Sequence, residues 1–149
     1  MRKLTIGLLA GAALAVAGAP AASASNAPLH VNFVKHLVDP QTFTFAGSVN
    51  GDVDGNLVSR LVSLSGAGPN GTDGPIYKIT FDWIVSAGGK SFTARTSGMW
   101  NTGTGQVVMN GSVVSGYLDG AQVHEEGRLV DPSTLTFAGF LRLMPATAG

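Results

Sequence analysis

Phe43-Thr44-Phe45-Ala46-Gly47-Ser48-Val49-Asn50-Gly51-Asp52-Val53-Asp54-Gly55-Asn56-Leu57 is the stretch whose reading decides the fold class. Every odd position is apolar or glycine, whereas Thr44, Ser48, Asn50, Asp52, Asp54 and Asn56 stand on even ones. A period of two puts one set of side chains in a core and the other in water, so the run is read as a continuous half-buried strand. The same alternation returns in Tyr77, Ile79, Phe81, Trp83 and Val85, then on even positions in Phe92, Ala94, Thr96, Gly98 and Trp100. Val107, Met109, Gly111 and Val113, followed by Leu135, Phe137, Gly139, Leu141 and Leu143, complete it. After residue 25 no run of apolar residues has helical spacing.

Between these runs lie turn formers: Asp39-Pro40, Gly88-Gly89, Asn101-Thr102-Gly103, Asp119-Gly120 and Asp131-Pro132. Only Ser65–Pro75 reads as a long loop. The pattern predicts an all-β chain forming a single antiparallel β-barrel of about eight strands, with a β-sandwich as the alternative. Repeated glycines on the inner faces favour the barrel, because strongly coiled strands need small residues where they bend.

The N-terminus has a different character. Basic Arg2 and Lys3, an apolar stretch from Leu4 to about Gly18 and the small-residue run Ala22-Ser23-Ala24 are the three parts of a secretory signal in order. Residues 1–24 are therefore read as a signal peptide and 25–149 as one barrel domain, secreted to the extracellular side. The apolar stretch is shorter than the roughly 20 residues a spanning helix needs, and no later segment is long enough, so no membrane partner is expected after cleavage. Removing Arg2 and Lys3 from nine basic residues leaves seven against nine acidic ones, a formal balance of −2. The seven are scattered singly, which argues against nucleic acid as a partner. With no cysteine in the chain, disulfides and thiolate metal sites are excluded.

Leu37-Val38-Asp39-Pro40-Gln41-Thr42-Phe43-Thr44-Phe45-Ala46-Gly47 returns as Leu129-Val130-Asp131-Pro132-Ser133-Thr134-Leu135-Thr136-Phe137-Ala138-Gly139, with nine of eleven residues unchanged. Each copy reads as strand, Asp-Pro turn, strand, and duplicated hairpin geometry explains it more simply than a duplicated site.

Several motifs are weighed against plainer readings. Asn50-Gly51-Asp52-Val53-Asp54-Gly55 matches the opening of a calcium loop, but its twelfth position is Leu61 where a bidentate glutamate is needed, so strand is preferred. Gly66, Gly68 and Gly71 have dinucleotide-fingerprint spacing without the helix that must follow. With odd positions inward around residues 31–37 and 121–129, His30, His36 and His124 face outward, and neither a metal site nor a nucleophilic triad is expected. The same parity sends Lys35 and Glu125 inward among apolar neighbours. A buried charge is unfavourable unless it is paired or used, so the two are expected either to pair or to lie near a barrel mouth. Their orientation depends on register. Pairing Val130 with Leu135 would turn His124, Glu126 and Arg128 inward instead. The first register buries Val31, Phe33, Leu37, Val123 and Leu129, each worth roughly 1.5–3 kcal/mol, and is preferred.

Gly103-Thr104-Gly105-Gln106-Val107-Val108-Met109-Asn110-Gly111-Ser112-Val113 and Phe45-Ala46-Gly47-Ser48-Val49-Asn50-Gly51 resemble the glycine-punctuated late strands of the allene oxide cyclase and dirigent-type barrels. The resemblance runs from about residue 30 onward and implies an eight-stranded calycin-like barrel, often oligomeric, with an apolar pocket. None of that group's catalytic residues matches a position here, so activity is not implied.

Three readings of function follow. The first is a binding module holding a small apolar molecule, with Phe81, Trp83, Phe137 and Lys35 among the walls and no cofactor. The second is a cofactorless cyclase or isomerase, with Glu125 carrying a proton and Tyr77 orienting the substrate. The third is a structural or surface barrel filled by its own side chains. Independently of these, the export reading predicts that the mature chain begins at or near Ser25, and intact-mass measurement of exported protein is expected to show residues 1–24 missing.

Overall fold

A computed structural model describes residues 26–66, 68 and 74–147. The signal peptide reading falls outside the described residues. Eight strands follow one another: β1 (Leu29–Asp39), β2 (Thr44–Gly51), β3 (Gly55–Gly66), β4 (Ile76–Ser86), β5 (Phe92–Asn101), β6 (Gln106–Gly116), β7 (Gln122–Asp131) and β8 (Thr136–Met144), with one 3₁₀ turn at Gly88–Lys90. Each pairs antiparallel with its neighbours in sequence, and β1 pairs with β8 from Leu29↔Leu143 to Lys35↔Phe137. The sheet is thus a closed up-and-down barrel with no free edge, and the sandwich alternative falls away.

The continuous strand read from Phe43 to Leu57 is corrected. Residues 52–54 turn the chain between β2 and β3, which pair with each other through Gly47↔Leu57 and Val49↔Gly55. Gly51 takes φ 111°, and its N–H donates to Asp54 Oδ1 at 3.2 Å. Asp52 accepts from the His30 N–H through Oδ2 at 2.7 Å. The alternation survived this turn because odd residues pair with odd residues across it, so the buried set stays odd on both sides.

Leu37–Gly47 and Leu129–Gly139 both fold as hairpins that turn at Asp-Pro. In each, a register shift precedes the turn, at Leu37/Asp39 and at Leu129/Asp131. Asp39 and Asp131 each accept a backbone N–H two residues on, from Gln41 and Ser133, at 2.9 Å. The Thr42 hydroxyl on Asp39 and the Ser133 hydroxyl on Asp131, with these backbone bonds in addition, hold both carboxyls below the usual aspartate range. Phe43 and Leu135 close the two turns at φ 54° and 48°. The β5–β6 connection has the same form without proline: Asn101 Oδ1 accepts from the Gly103 and Thr104 N–H groups, and Gly105 stands at φ 76°. These three turns lie at the same end of the barrel and frame one of its mouths.

The opposite end is closed by Val31, Val53, Val85, Phe92, Ala121 and Leu143, all buried. Between the two ends, Phe33, Trp83, Met109 and Leu141 fill the middle, with the Phe33 and Trp83 rings edge-to-face at 4.9 Å. Neighbouring strands come so close on the inner face that a side chain does not fit at several glycines. A Cβ on Gly139 would lie 2.0 Å from the Glu126 carbonyl oxygen, and one on Gly111 would lie 1.8 Å from that of Arg95. Gly139→Ala is accordingly expected to cost about 1–3 kcal/mol in urea unfolding. Gly89→Ala, with nothing within 4 Å of the added carbon, is expected to change stability by less than about 0.5 kcal/mol.

Candidate functional site

The inward parity of β1 and β7 carries one ionisable residue on each strand into the core. Lys35 is 5 % exposed and Glu125 1 %, whereas Glu126 and Arg128 are exposed and His124 sits on the outer face. The register shift that sets Val130 aside pairs Leu129 with Phe137 and Asp131 with Thr136, which is the preferred register. β8 separates the two charged strands, but Gly127 and Gly139, paired with each other between them, add no side chain. Across β8 the Lys35 Nζ reaches to 3.8 Å from Glu125 Oε1.

Around this pair the polar shell is thin. The ammonium donates to Ser59 Oγ at 3.3 Å. Thr96 Oγ1 donates to Glu125 Oε2 at 3.4 Å and accepts from Trp83 Nε1 at 3.2 Å. Aromatic faces supply the rest of the enclosure, with Nζ 3.9 Å from the Trp83 ring centre, 5.0 Å from Phe81, 5.4 Å from Phe33 and 5.5 Å from Phe45. Ring faces carry partial negative charge and attract a desolvated cation. Burial pushes the Glu125 carboxyl up to about 6, against the opposing pull of Lys35, Thr96 and Trp83. It also draws the Lys35 ammonium below the ordinary lysine range, with Glu125 restoring part of the difference.

The pair forms part of the wall of an apolar cleft that opens at the mouth framed by the three turns. Lys35, Phe81 and Phe137 of the expected residues line it together with Glu125. Trp83 is fully buried and lies outside the lining, over the ammonium. Tyr77 is half-buried and does not line the cleft either; its ring packs against Trp100 with centres 6.1 Å apart. Phe43, Leu61, Leu64 and Trp100 also line the cleft and were not singled out from sequence. Trp100 stood on an inward parity and was legible as a wall residue. Leu64 was not, because a register shift between Leu61 and Ser63 reverses the parity of β3 and turns an even position inward. The free space in the cleft is about 20 Å³, room for about one water molecule.

On the outer face, His124 bonds Asn110 Oδ1 through Nδ1 at 2.7 Å and Glu126 Oε1 through Nε2 at 3.0 Å, while His30 stacks on Phe140 at 5.0 Å. Among the described residues no group of three or more His, Asp or Glu side chains is placed to hold a metal ion.

Comparison with family models, with curated proteins and with solved structures yields no match. Eight-stranded barrels serve many unrelated functions, so the barrel by itself does not name a family.

The buried carboxyl has a measurable signature. Its folded pKa of about 6 lies above the ordinary value of 4.5. The folded state therefore holds this proton more tightly than the unfolded chain, a stabilisation fully present below pH 4.5 and lost as pH rises through about 6. Urea unfolding is expected to show wild type losing about 2 kcal/mol over that interval relative to Glu125→Gln, which has no carboxyl there to titrate.

Proposed function

We propose that this protein is a secreted binding module that takes a small apolar molecule into the cleft at one mouth of its barrel. The observation that carries this reading is the composition of the cleft: carbon-lined walls of Phe43, Leu61, Leu64, Phe81 and Phe137 with the buried Lys35–Glu125 pair beside them. Ligand sites are commonly apolar clefts with a few fixed polar groups. A buried ion pair contributes little to stability compared with apolar residues of the same volume, so its presence beside a cleft favours a use other than packing.

The free space of about 20 Å³ is far below the roughly 300–1,000 Å³ of an open ligand site, so the occupant has to displace side chains. Those at the mouth are held on one side only: Leu64 is 46 % exposed, and Phe43, Leu61 and Trp100 are partly buried. The small volume favours a second reading, a structural barrel packed by its own side chains. The cyclase or isomerase reading retains Glu125, whose carboxyl is poised near neutrality for proton transfer, but Tyr77 packs on Trp100 outside the lining.

The two leading readings separate on a neutral fluorescent probe. N-phenyl-1-naphthylamine is expected to bind with one site per chain. Leu61→Trp, which fills the mouth, is expected to weaken it at least about tenfold, the effect of roughly 1.4 kcal/mol, while Glu126→Gln on the outer face leaves it unchanged. No saturable binding to wild type would establish the packed barrel.

A further inference from the structure

Trp100 contributes the final inward position of β5 before the Asn101 turn and lines the cleft near its mouth. Its indole Nε1 is buried and has no hydrogen-bond partner, and among the described residues it is the only buried side-chain nitrogen or oxygen in that condition. The other tryptophan is different, since Trp83 Nε1 donates to Thr96. The neighbours that fix the Trp100 ring are carbon: Phe137 lies edge-on with ring centres 5.9 Å apart, and Tyr77 lies on another side at 6.1 Å. A donor removed from water and left unpaired is unfavourable, and at this position apolar packing alone offers no relief. Trp100 is part of the cleft wall, so a molecule that displaces side chains there comes against a residue with an unpaired N–H, while Phe43, Leu61, Leu64 and Phe137 offer it no polar atom.

We infer that the cleft selects apolar molecules that carry one hydrogen-bond acceptor, a carbonyl or ether oxygen, and that the Trp100 indole N–H is the donor that recognises it. The inference rests on the binding reading and narrows it from any apolar molecule to a neutral monofunctional one. A hydrocarbon filling the same walls leaves the indole N–H unpaired. A ketone of the same shape satisfies it, and the net gain of one such bond, about 0.5–1.5 kcal/mol, corresponds to a preference of a few-fold to about tenfold. The Lys35 ammonium and the Glu125 carboxyl already have partners in Ser59, Thr96 and each other, whereas the Trp100 N–H is the wall donor that has none.

The test compares naphthalene with 2-acetylnaphthalene on the full mature chain, with ¹⁵N-labelled protein for the indole resonances. Displacement of N-phenyl-1-naphthylamine is expected to show the ketone binding a few-fold to about tenfold more tightly than the hydrocarbon, and Trp100→Phe is expected to abolish that preference, so that the two compounds bind the variant equally whatever change in affinity they share. In wild type the Trp100 indole resonance should move on adding the ketone and far less on adding naphthalene, with the Trp83 resonance as internal reference. Equal affinities for the two compounds in wild type, or a ketone preference that survives in Trp100→Phe, would overturn the donor assignment while leaving the binding reading standing. If neither compound binds wild type, both fall together.

Discussion

Two opposite charges held out of water in the middle of the barrel constrain nearly everything around them. Desolvating each ion is unfavourable by several kcal/mol, and only close pairing with further polar or aromatic contacts offsets it. Lys35 and Glu125 have those contacts because β1, β3, β5 and β7 each send one polar side chain to the same level: Lys35, Ser59, Thr96 and Glu125. A one-residue slip of either β1 or β7 would expose its apolar set and leave a charge facing carbon. The pair thus adds a penalty against wrong registers to whatever it contributes to the native one. The glycines beside it answer to other neighbours, since a Cβ on Gly127 would lie 3.0 Å from Phe33 Cζ and one on Gly139 2.0 Å from the Glu126 carbonyl oxygen.

Much of this was legible in the sequence because burial in a barrel follows parity, and parity can be read residue by residue. The inward faces of β1, β4, β5, β6, β7 and β8, and the inward aim of Glu125 against the outward aim of Glu126, follow from alternation alone. What parity conceals is any feature that preserves or reverses it silently. The turn at residues 52–54 kept odd residues inward on both sides and so passed for an uninterrupted strand. The register shift in β3 reversed the faces within a run of Val, Ser and Leu that carries no turn former, and so hid Leu64. Distances across the barrel were also out of reach. The rings enclosing the Lys35 ammonium come from β1, β2 and β4, and only closure brings them to one point.

The three turns that frame the open mouth show how one backbone solution is reached from different residues. Each begins with a side-chain oxygen accepting backbone N–H groups ahead of it and ends on a residue at positive φ. Gly105 takes that final conformation without steric penalty, whereas Phe43 and Leu135 take it as large apolar residues that prefer otherwise. Both are partly buried against the core, and Phe43 packs edge-to-face on Phe45 at 5.6 Å. Packing energy therefore offsets backbone strain at two of the three turns. The asymmetry is useful at an entrance, because Phe43 at one of these positions supplies part of the cleft wall.

Closure of the barrel by β1 and β8 bears on the order in which the chain can reach its native state. Every other strand pair joins neighbours in sequence through a connection, so those hairpins form with little loop-closure entropy. The pairing of Leu29 with Leu143 joins the two ends of the described domain, and it has to wait until the last strand has been synthesised. Until then β1 presents one unpaired edge carrying Val31 and Phe33, a template on which another incomplete copy can add a strand. The vulnerable interval is therefore the time between the appearance of β1 and that of β8, and crowding of nascent chains, more than heating of the finished barrel, is the circumstance in which this fold is exposed to aggregation.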